Sequence, residues 1–73
     1  MKLGNHIRKL RFEHAEMTQE TLAKSIGVTR QTIHSIESGK FVPSTLLAFR
    51  IARFFRQSVE EVFYIIDDTI SKP

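Results

Sequence analysis

The sequence contains no cysteine and no tryptophan, and it has few helix-breaking residues: three glycines and two prolines. Without cysteine the chain can form neither disulfide bonds nor a cysteine-based zinc site. Its apolar runs, such as Val62 to Ile66, are far shorter than the ~20 residues needed to span a bilayer. The N-terminus turns polar at Asn5, too early for a secretory signal. We therefore expect a cytoplasmic protein with no membrane association.

The chain length allows one small domain. With 73 residues it buries only about 60% of its unfolded surface. The helical pattern described below ends near residue 66. We therefore predict one domain over residues 1–66 and a C-terminal tail over residues 67–73.

Charge is distributed unevenly along the chain. Met1 to Arg56 contain ten Lys or Arg against four Asp or Glu, a balance of +6, whereas Gln57 to Pro73 have a balance of −3. A basic body with an acidic end suits a polyanion such as DNA. Charge alone is also compatible with an ordinary solvated surface.

Apolar residues recur with helical spacing almost throughout, and this predicts an all-α fold of five short helices. The first helix carries Leu3, Ile7 and Leu10 on one stripe and ends near His14. Good N-caps open the next four helices. These are Thr18, Thr29, Ser44 and Ser58, the last with Glu61 three residues later as a capping box.

The ends and inward faces of these helices follow from the same pattern. Gly27 and Gly39 end the second and third helices, since glycine adopts positive φ at little cost. The fourth helix directs Leu47, Ala48, Ile51, Ala52 and Phe55 inward, and the fifth has the stripe Val59, Val62, Phe63 and Ile66. Val62 to Ile66 are also compatible with a short C-terminal strand.

The segment Gln19–Ser38 meets the local demands of two helices joined by a tight turn. Ala23 is small where the next helix must cross, Gly27 tolerates a left-handed turn, and Ile33 fills the angle between the helices. Four more apolar residues complete the contact between the two helices: Leu22, Ile26, Val28 and Ile36. Each match is weak alone, but together they indicate a helix-turn-helix.

The stretch from Ile7 to Phe63 resembles the Cro/C1-type, or Xre-family, helix-turn-helix of phage repressors and small bacterial regulators. The matching segments are Ile7–Arg11, Met17–Ala23, Gly27–Ile33, Ile36–Lys40 and Pro43–Ser44. The resemblance implies a compact five-helix lambda-repressor-like domain that binds double-stranded operator DNA, usually as a dimer. It also implies a salt bridge between Arg11 and Glu37 that joins the first and third helices.

The outward face of the third helix supplies candidate base-reading residues: Thr29, Arg30, Gln31, His34 and Ser35. Arg binds guanine and Gln binds adenine through paired hydrogen bonds in the major groove. The first turn of such a helix is the end that enters the groove. The alternative is that Arg30 and Gln31 are ordinary exposed helix formers.

Phosphate contacts are expected on both sides of this helix. Thr18 and Gln19 open the second helix, whose N–H groups and partial positive charge attract a phosphate. By resemblance, Ser38, Lys40 and Phe41 hold the DNA backbone beyond the other end. Thr18 can also act simply as a cap.

The sequence departs from the family pattern at two connections. Ala15–Met17 makes the first connection one residue longer than the commonest form, which has glycine there. Arg56–Gln57 stands where the family usually has glycine followed by an apolar residue. If Arg56 is left-handed, its backbone is strained, and Arg56→Gly should stabilise the fold.

The sequence gives little support for a catalytic site or a metal site. None of His6, His14 and His34 lies three or four residues from another histidine, as helical zinc ligands do. His34, Ser35 and Ser38 do not form a catalytic set, because catalysis would require a pocket and an orienting carboxylate, and so small a core cannot easily hold a pocket. We expect no enzyme activity, no cofactor, no metal and no small-molecule substrate.

The C-terminal region holds more apolar residues than one core face needs. Phe54, Tyr64 and Ile65 fall off the inward stripes and are candidate dimer contacts, although they could instead thicken the core edge. The leading hypothesis is a homodimeric transcriptional repressor that binds a pseudo-palindromic operator. The main alternative is a protein-interaction module, antitoxin-like or an anti-regulator. An RNA-binding role is less favoured, since no aromatic stacking platform is visible.

Overall fold

The computed structural model describes residues 2–67, and these form five helices and two short strands. The elements in chain order are β1 (Lys2–Asn5), α1 (Ile7–Glu13), α2 (Gln19–Ile26), α3 (Arg30–Glu37), α4 (Thr45–Phe54), α5 (Val59–Val62) and β2 (Phe63–Ile66). The five-helix prediction is confirmed, as is the short C-terminal strand. The predicted tail beyond Asp67 lies outside the described residues.

Four helices begin at the hydroxyl caps that the sequence predicts. The side-chain oxygens of Thr18, Thr29, Ser44 and Ser58 each accept a hydrogen bond from the backbone N–H three residues later, at 3.0–3.2 Å. The first N–H groups of a helix lack the usual carbonyl acceptor four residues earlier, and each cap therefore stabilises its helix by about 1 kcal/mol. The Glu61 carboxylate accepts in return from the Ser58 N–H at 2.8 Å, which completes the predicted capping box.

The tight turns use left-handed backbone conformations. Gly27 ends α2 at a φ of 91°, and the N–H groups of Gly27 and Val28 both donate to the Ala23 carbonyl. Gly39 follows α3 at a φ of 81°. Three residues that carry a Cβ are also left-handed. Ala15 and Glu16 lie in the connection after α1, and Arg56, with a φ of 57°, lies after α4. Arg56 is therefore left-handed, which is the condition under which the sequence predicts that Arg56→Gly stabilises the fold.

The N-terminal segment differs from the sequence prediction. Leu3 does not lie on the first helix, because Lys2–Asn5 pairs in antiparallel register with Phe63–Ile66. The Asn5 side-chain oxygen accepts the Ile7 N–H at 3.1 Å, and α1 begins there. Strand pairing gives main-chain partners to both Lys2–Asn5 and Phe63–Ile66, whereas a longer α1 would leave Phe63–Ile66 without this partner strand.

The fifth helix is shorter than its apolar stripe predicts. It ends at Val62, and Phe63 is already extended, with φ −119° and ψ 147°. Phe63 still faces the core, whereas Ile66 is exposed in β2, so its assignment to an inward helical stripe was wrong. A periodicity of three and four residues cannot separate one helical turn from a turn followed by a strand.

One apolar core holds the helices together. It contains Ile7, Leu10, Leu22, Ala23, Ile26, Ile33, Ile36, Ile51, Ala52, Phe55, Val62 and Phe63. Leu47 and Ala48, predicted to face inward from α4, are half-buried against it. Within residues 2–67, no helix has the length and apolar composition needed to cross a membrane.

Candidate nucleic-acid interface

The packing of α2 against α3 sets the position of the candidate interface. Ala23 and Ile33 are buried where the two helices meet, as the helix-turn-helix spacing predicts. Leu22, Ile26 and Ile36 are buried beside them, and Val28 is half-buried. Because one face of α3 is fixed in the core, its opposite face is at the surface.

The outward face of α3 carries the predicted base-reading residues. Arg30, Gln31 and His34 are exposed, and Ser35 is half-buried. The Gln31 amide donates to the Ser35 hydroxyl at 3.4 Å, one turn further along the helix. The side chains on this face therefore include both hydrogen-bond donors and hydrogen-bond acceptors. Arg30 and Gln31 lie in the first turn.

Thr29 also lies at this end of α3, but its hydroxyl is already engaged. It accepts the Thr32 N–H at 3.1 Å and lies 2.9 Å from the Thr32 hydroxyl. The first turn of α3 contains no acidic residue. Its unpaired N–H groups and its positive dipole end therefore remain available to an anionic partner.

A hydrogen-bond network connects the start of α2 with both ends of α3. The Gln19 amide nitrogen donates to Glu37 Oε1 at 3.2 Å, and its oxygen accepts from Arg30 at 3.4 Å. Glu37 in turn binds Arg11 of α1, with Nε to Oε2 at 2.7 Å. The pair implied by the resemblance therefore forms, and through Gln19 it connects with Arg30.

The predicted phosphate-binding residues lie at two places. Thr18 and Gln19 are at the N-terminal end of α2, where Thr18 also acts as the cap. Lys40 and Phe41 lie beyond α3, where their N–H groups donate to the Ser35 carbonyl at 3.0 and 3.2 Å. Ser38 is the C-cap of α3 and is exposed, as are Lys40 and Phe41. These residues border α3 at the ends of the helix-turn-helix.

Two further residues at this surface escaped the sequence analysis. Asn5 and Arg8 line a groove together with Arg11, Gln19, His34, Glu37 and Ser38. The Asn5 amide donates to the Ile36 carbonyl at 3.1 Å and so binds the C-terminal end of α3. Arg8 precedes Arg11 by three residues on α1, and this spacing places both residues on one face of the helix. The spacing could have indicated from the sequence that Arg8 lies near the interface.

The histidines occupy separate environments. The His6 ring packs against the Tyr64 ring at a tilt of 35°, with centroids 4.7 Å apart, and the His14 ring meets the Phe55 ring edge-on at 5.1 Å. His34 lies on the exposed face of α3. Residues 2–67 contain no group of three or more His, Asp or Glu placed to hold a metal ion.

The predicted dimer-contact residues fall into two groups. Phe54 is half-buried, with its ring edge-on to Phe55 at 5.1 Å. Tyr64 and Ile65 lie together in β2, where 42% and 59% of their surfaces are exposed. The exposed part of this apolar region is therefore the C-terminal strand.

Comparisons with known proteins agree with this geometry. Residues 7–62 match the model of a helix-turn-helix family. An uncharacterized HTH-type transcriptional regulator of Methanocaldococcus jannaschii is 52% identical over 66 residues, which cover 90% of this chain and 98% of the relative. One from Bacillus subtilis is 41% identical over 66 residues, with the same coverage.

The fold is also found in a solved structure. The crystal structure of a candidate DNA-binding protein from Bacteroides fragilis superposes with a TM-score of 0.73 and covers 85% of this chain and 98% of its own. Its sequence is 22% identical, so this likeness concerns the fold alone.

Proposed function

Because the chain belongs to the helix-turn-helix family of the Cro/C1 type, we propose that it is a sequence-specific DNA-binding transcriptional regulator. Its relatives in Methanocaldococcus jannaschii and Bacillus subtilis are named HTH-type transcriptional regulators. The observation that carries the proposal is the exposure of Arg30 and Gln31 in the first turn of a helix whose other face is buried. That turn enters the major groove.

The outward face of α3 then recognises the bases. The Arg30 guanidinium binds O6 and N7 of a guanine, and the Gln31 amide binds N6 and N7 of an adenine. His34 and Ser35 extend this face by one turn. Since the Thr29 hydroxyl is bonded within the helix start, Thr29 contributes its methyl group, which suits a thymine methyl.

Phosphate contacts fix the register of α3 in the groove. Thr18 and Gln19 bring the N-terminal end of α2 to one phosphate, while Ser38, Lys40 and the backbone at Phe41 meet the other side. These contacts carry no sequence information, but they supply much of the affinity and its salt dependence.

The regulator acts as a repressor that binds a pseudo-palindromic operator as a dimer. Two copies related by a two-fold axis read half-sites about 34–36 Å apart, one turn of DNA. A bound dimer would cover promoter DNA. Phe54, Tyr64 and Ile65 remain the residues predicted for the dimer contact.

Selection of bound duplexes from a random library tests the proposal. We expect enrichment of one short sequence and its inverted repeat at one-turn spacing. A library that stays random after several rounds, at a salt concentration where binding persists, would contradict base reading. It would favour a module that binds another protein through the same fold.

A further inference from the structure

An exposed aromatic ring borders the base-reading face of α3. Phe41 lies in the loop between α3 and α4, and 47% of its surface is exposed. Its N–H donates to the Ser35 carbonyl at 3.2 Å, which fixes the Phe41 backbone beside the second turn of α3. In the proposed function Phe41 contributes its backbone to a phosphate contact, so its ring is free for a second contact.

The Phe41 ring borders an open groove of about 200 Å³. The other walls of this groove are Gln31, Thr32 and Ser35, on two successive turns of α3. Ser35 is small, and a longer side chain at this position would fill the space between the helix and the ring. The groove therefore lies directly beside two residues that are proposed to read bases, Gln31 and Ser35.

The polar side chains around the groove bind one another. The Gln31 amide nitrogen donates to the Ser35 hydroxyl at 3.4 Å, and the Thr32 hydroxyl lies 2.9 Å from the Thr29 hydroxyl. These bonds leave the Phe41 ring, the Thr32 methyl group and the aliphatic part of Gln31 as the apolar surface of the groove. The groove therefore suits a small apolar group better than a charged one.

We propose that this groove holds the 5-methyl group of a thymine in the operator, and that Phe41 is a specificity-determining residue. The thymine methyl group is the only methyl group that a base pair presents in the major groove. Phenylalanine rings and threonine methyl groups both make favourable apolar contacts with it. The inference rests on the proposed function, because the groove meets a base only when α3 lies in the major groove.

Gln31 indicates where this thymine lies in the operator. One N–H of its amide is bonded to Ser35, while the amide oxygen and the second N–H remain for N6 and N7 of an adenine. The aliphatic part of the same side chain lines the groove. The thymine therefore belongs to the base pair of that adenine or to the base pair next to it.

Replacement of thymine by deoxyuridine tests the contact without any change to the protein. The replacement removes the methyl group and leaves the hydrogen-bonding groups of the base pair in place. Each thymine of the selected operator is replaced in turn, and the affinity of the wild type is measured. At the groove position we expect about 4-fold weaker binding, as for the loss of one buried methyl group.

A bromine in place of the methyl group gives the matched rescue. Bromine is close to a methyl group in size, so 5-bromodeoxyuridine at the same position should restore most of the affinity. Failure of this rescue would contradict a contact that depends on filling the groove.

Phe41→Ala identifies which methyl group the groove holds. This variant should bind the unmodified operator about 4-fold more weakly than the wild type, and deoxyuridine at the groove position should cause no further loss. A thymine methyl group that contacts Thr29 should keep its effect in the variant. Circular dichroism checks the fold, and an unchanged affinity for a scrambled duplex checks that the phosphate contacts are kept.

Phe49→Ala is the matched control, because it removes the same ring from another exposed position. Phe49 is 52% exposed and lies on α4, outside the groove. The variant should keep the wild-type affinity for the operator and the wild-type loss on deoxyuridine. An equal change in Phe41→Ala and Phe49→Ala would contradict a specific role for Phe41.

Failure of the methyl contact and failure of DNA reading give different results. A wild type that prefers its operator but loses no affinity at any deoxyuridine would overturn the inference and leave the proposed function intact. A folded Phe41→Ala variant that keeps every methyl effect, or that weakens binding to operator and scrambled duplexes equally, would also overturn it. Equal affinity of the wild type for operator and scrambled duplexes would instead contradict the proposed function, and the methyl contact with it.

Discussion

Arg11 and Glu37 form a two-point ion pair between α1 and the last residue of α3. Arg11 Nε donates to Glu37 Oε2 at 2.7 Å, and a terminal guanidinium nitrogen donates to Oε1 at 3.0 Å. The other terminal nitrogen donates to the Met17 carbonyl at 2.7 Å. The side chains are only 15% and 10% exposed. The pair therefore fixes α3 relative to α1 and to the connection before α2.

Removal of the Glu37 charge should destabilise the fold. Glu37→Gln keeps the side-chain shape but leaves the Arg11 charge partly buried without a counter-ion. We expect the free energy of unfolding to fall by about 2–4 kcal/mol, as measured by urea denaturation. Glu20→Gln is the control, because its pair with Lys24 is long, at 3.7 Å, and exposed. It should cost less than about 0.5 kcal/mol. Equal losses would contradict the structural role of Glu37.

Arg56→Gly should stabilise the fold. Arg56 has a φ of 57°, where a Cβ costs about 1–2 kcal/mol, although glycine recovers only part of this because it makes the unfolded chain more flexible. The net gain should be about 0.5–1 kcal/mol, which raises Tm by several degrees in a domain of this size. Thermal unfolding followed by circular dichroism gives the measurement.

The control for this substitution lies one turn earlier. Arg53→Gly places glycine within α4 and should lower stability by about 1 kcal/mol. If Arg56→Gly also lowers Tm, the left-handed backbone at residue 56 is not a source of strain.

Lys40→Ala should weaken DNA binding without changing its sequence preference. Lys40 is exposed beyond the end of α3, where the proposal places a phosphate. Loss of one phosphate contact should reduce the slope of log affinity against log salt by about 1 on every duplex. Lys24→Ala removes the same charge from α2 outside the proposed contacts and should leave the slope nearly unchanged. A change in base preference with Lys40→Ala would contradict its assignment to the backbone.

The helical part of the fold was predictable because its signals are local. Thr29 and Ser58 cap helices through contacts three residues away, and Gly27 ends α2 through its own backbone. Leu3 and Ile66 were misassigned because their conformations depend on pairing between the two ends of the chain. Such pairing leaves no periodic signal within either segment.

The candidate site was predictable where its geometry depends on one helix alone, and it was not predictable where it depends on contacts between distant segments. The exposure of Arg30 and Gln31 follows from the burial of Ile33 and Ile36 on the opposite face of α3. The bond between the Asn5 amide and the Ile36 carbonyl does not follow, because it joins residues 31 positions apart that only the packed fold brings together. The engagement of Gln19 by both Glu37 and Arg30 likewise required the packed helices.

The most direct measurement is the ratio of affinities for the selected operator and a scrambled duplex, compared between wild type and Gln31→Ala. This substitution changes no charge, so non-specific affinity should stay the same while the ratio falls about 10-fold, within the range expected for a paired amide–adenine contact. Gln57→Ala, the same change between α4 and α5, should leave the ratio intact. An unchanged ratio in Gln31→Ala and in Arg30→Ala would contradict the reading of bases by the first turn of α3.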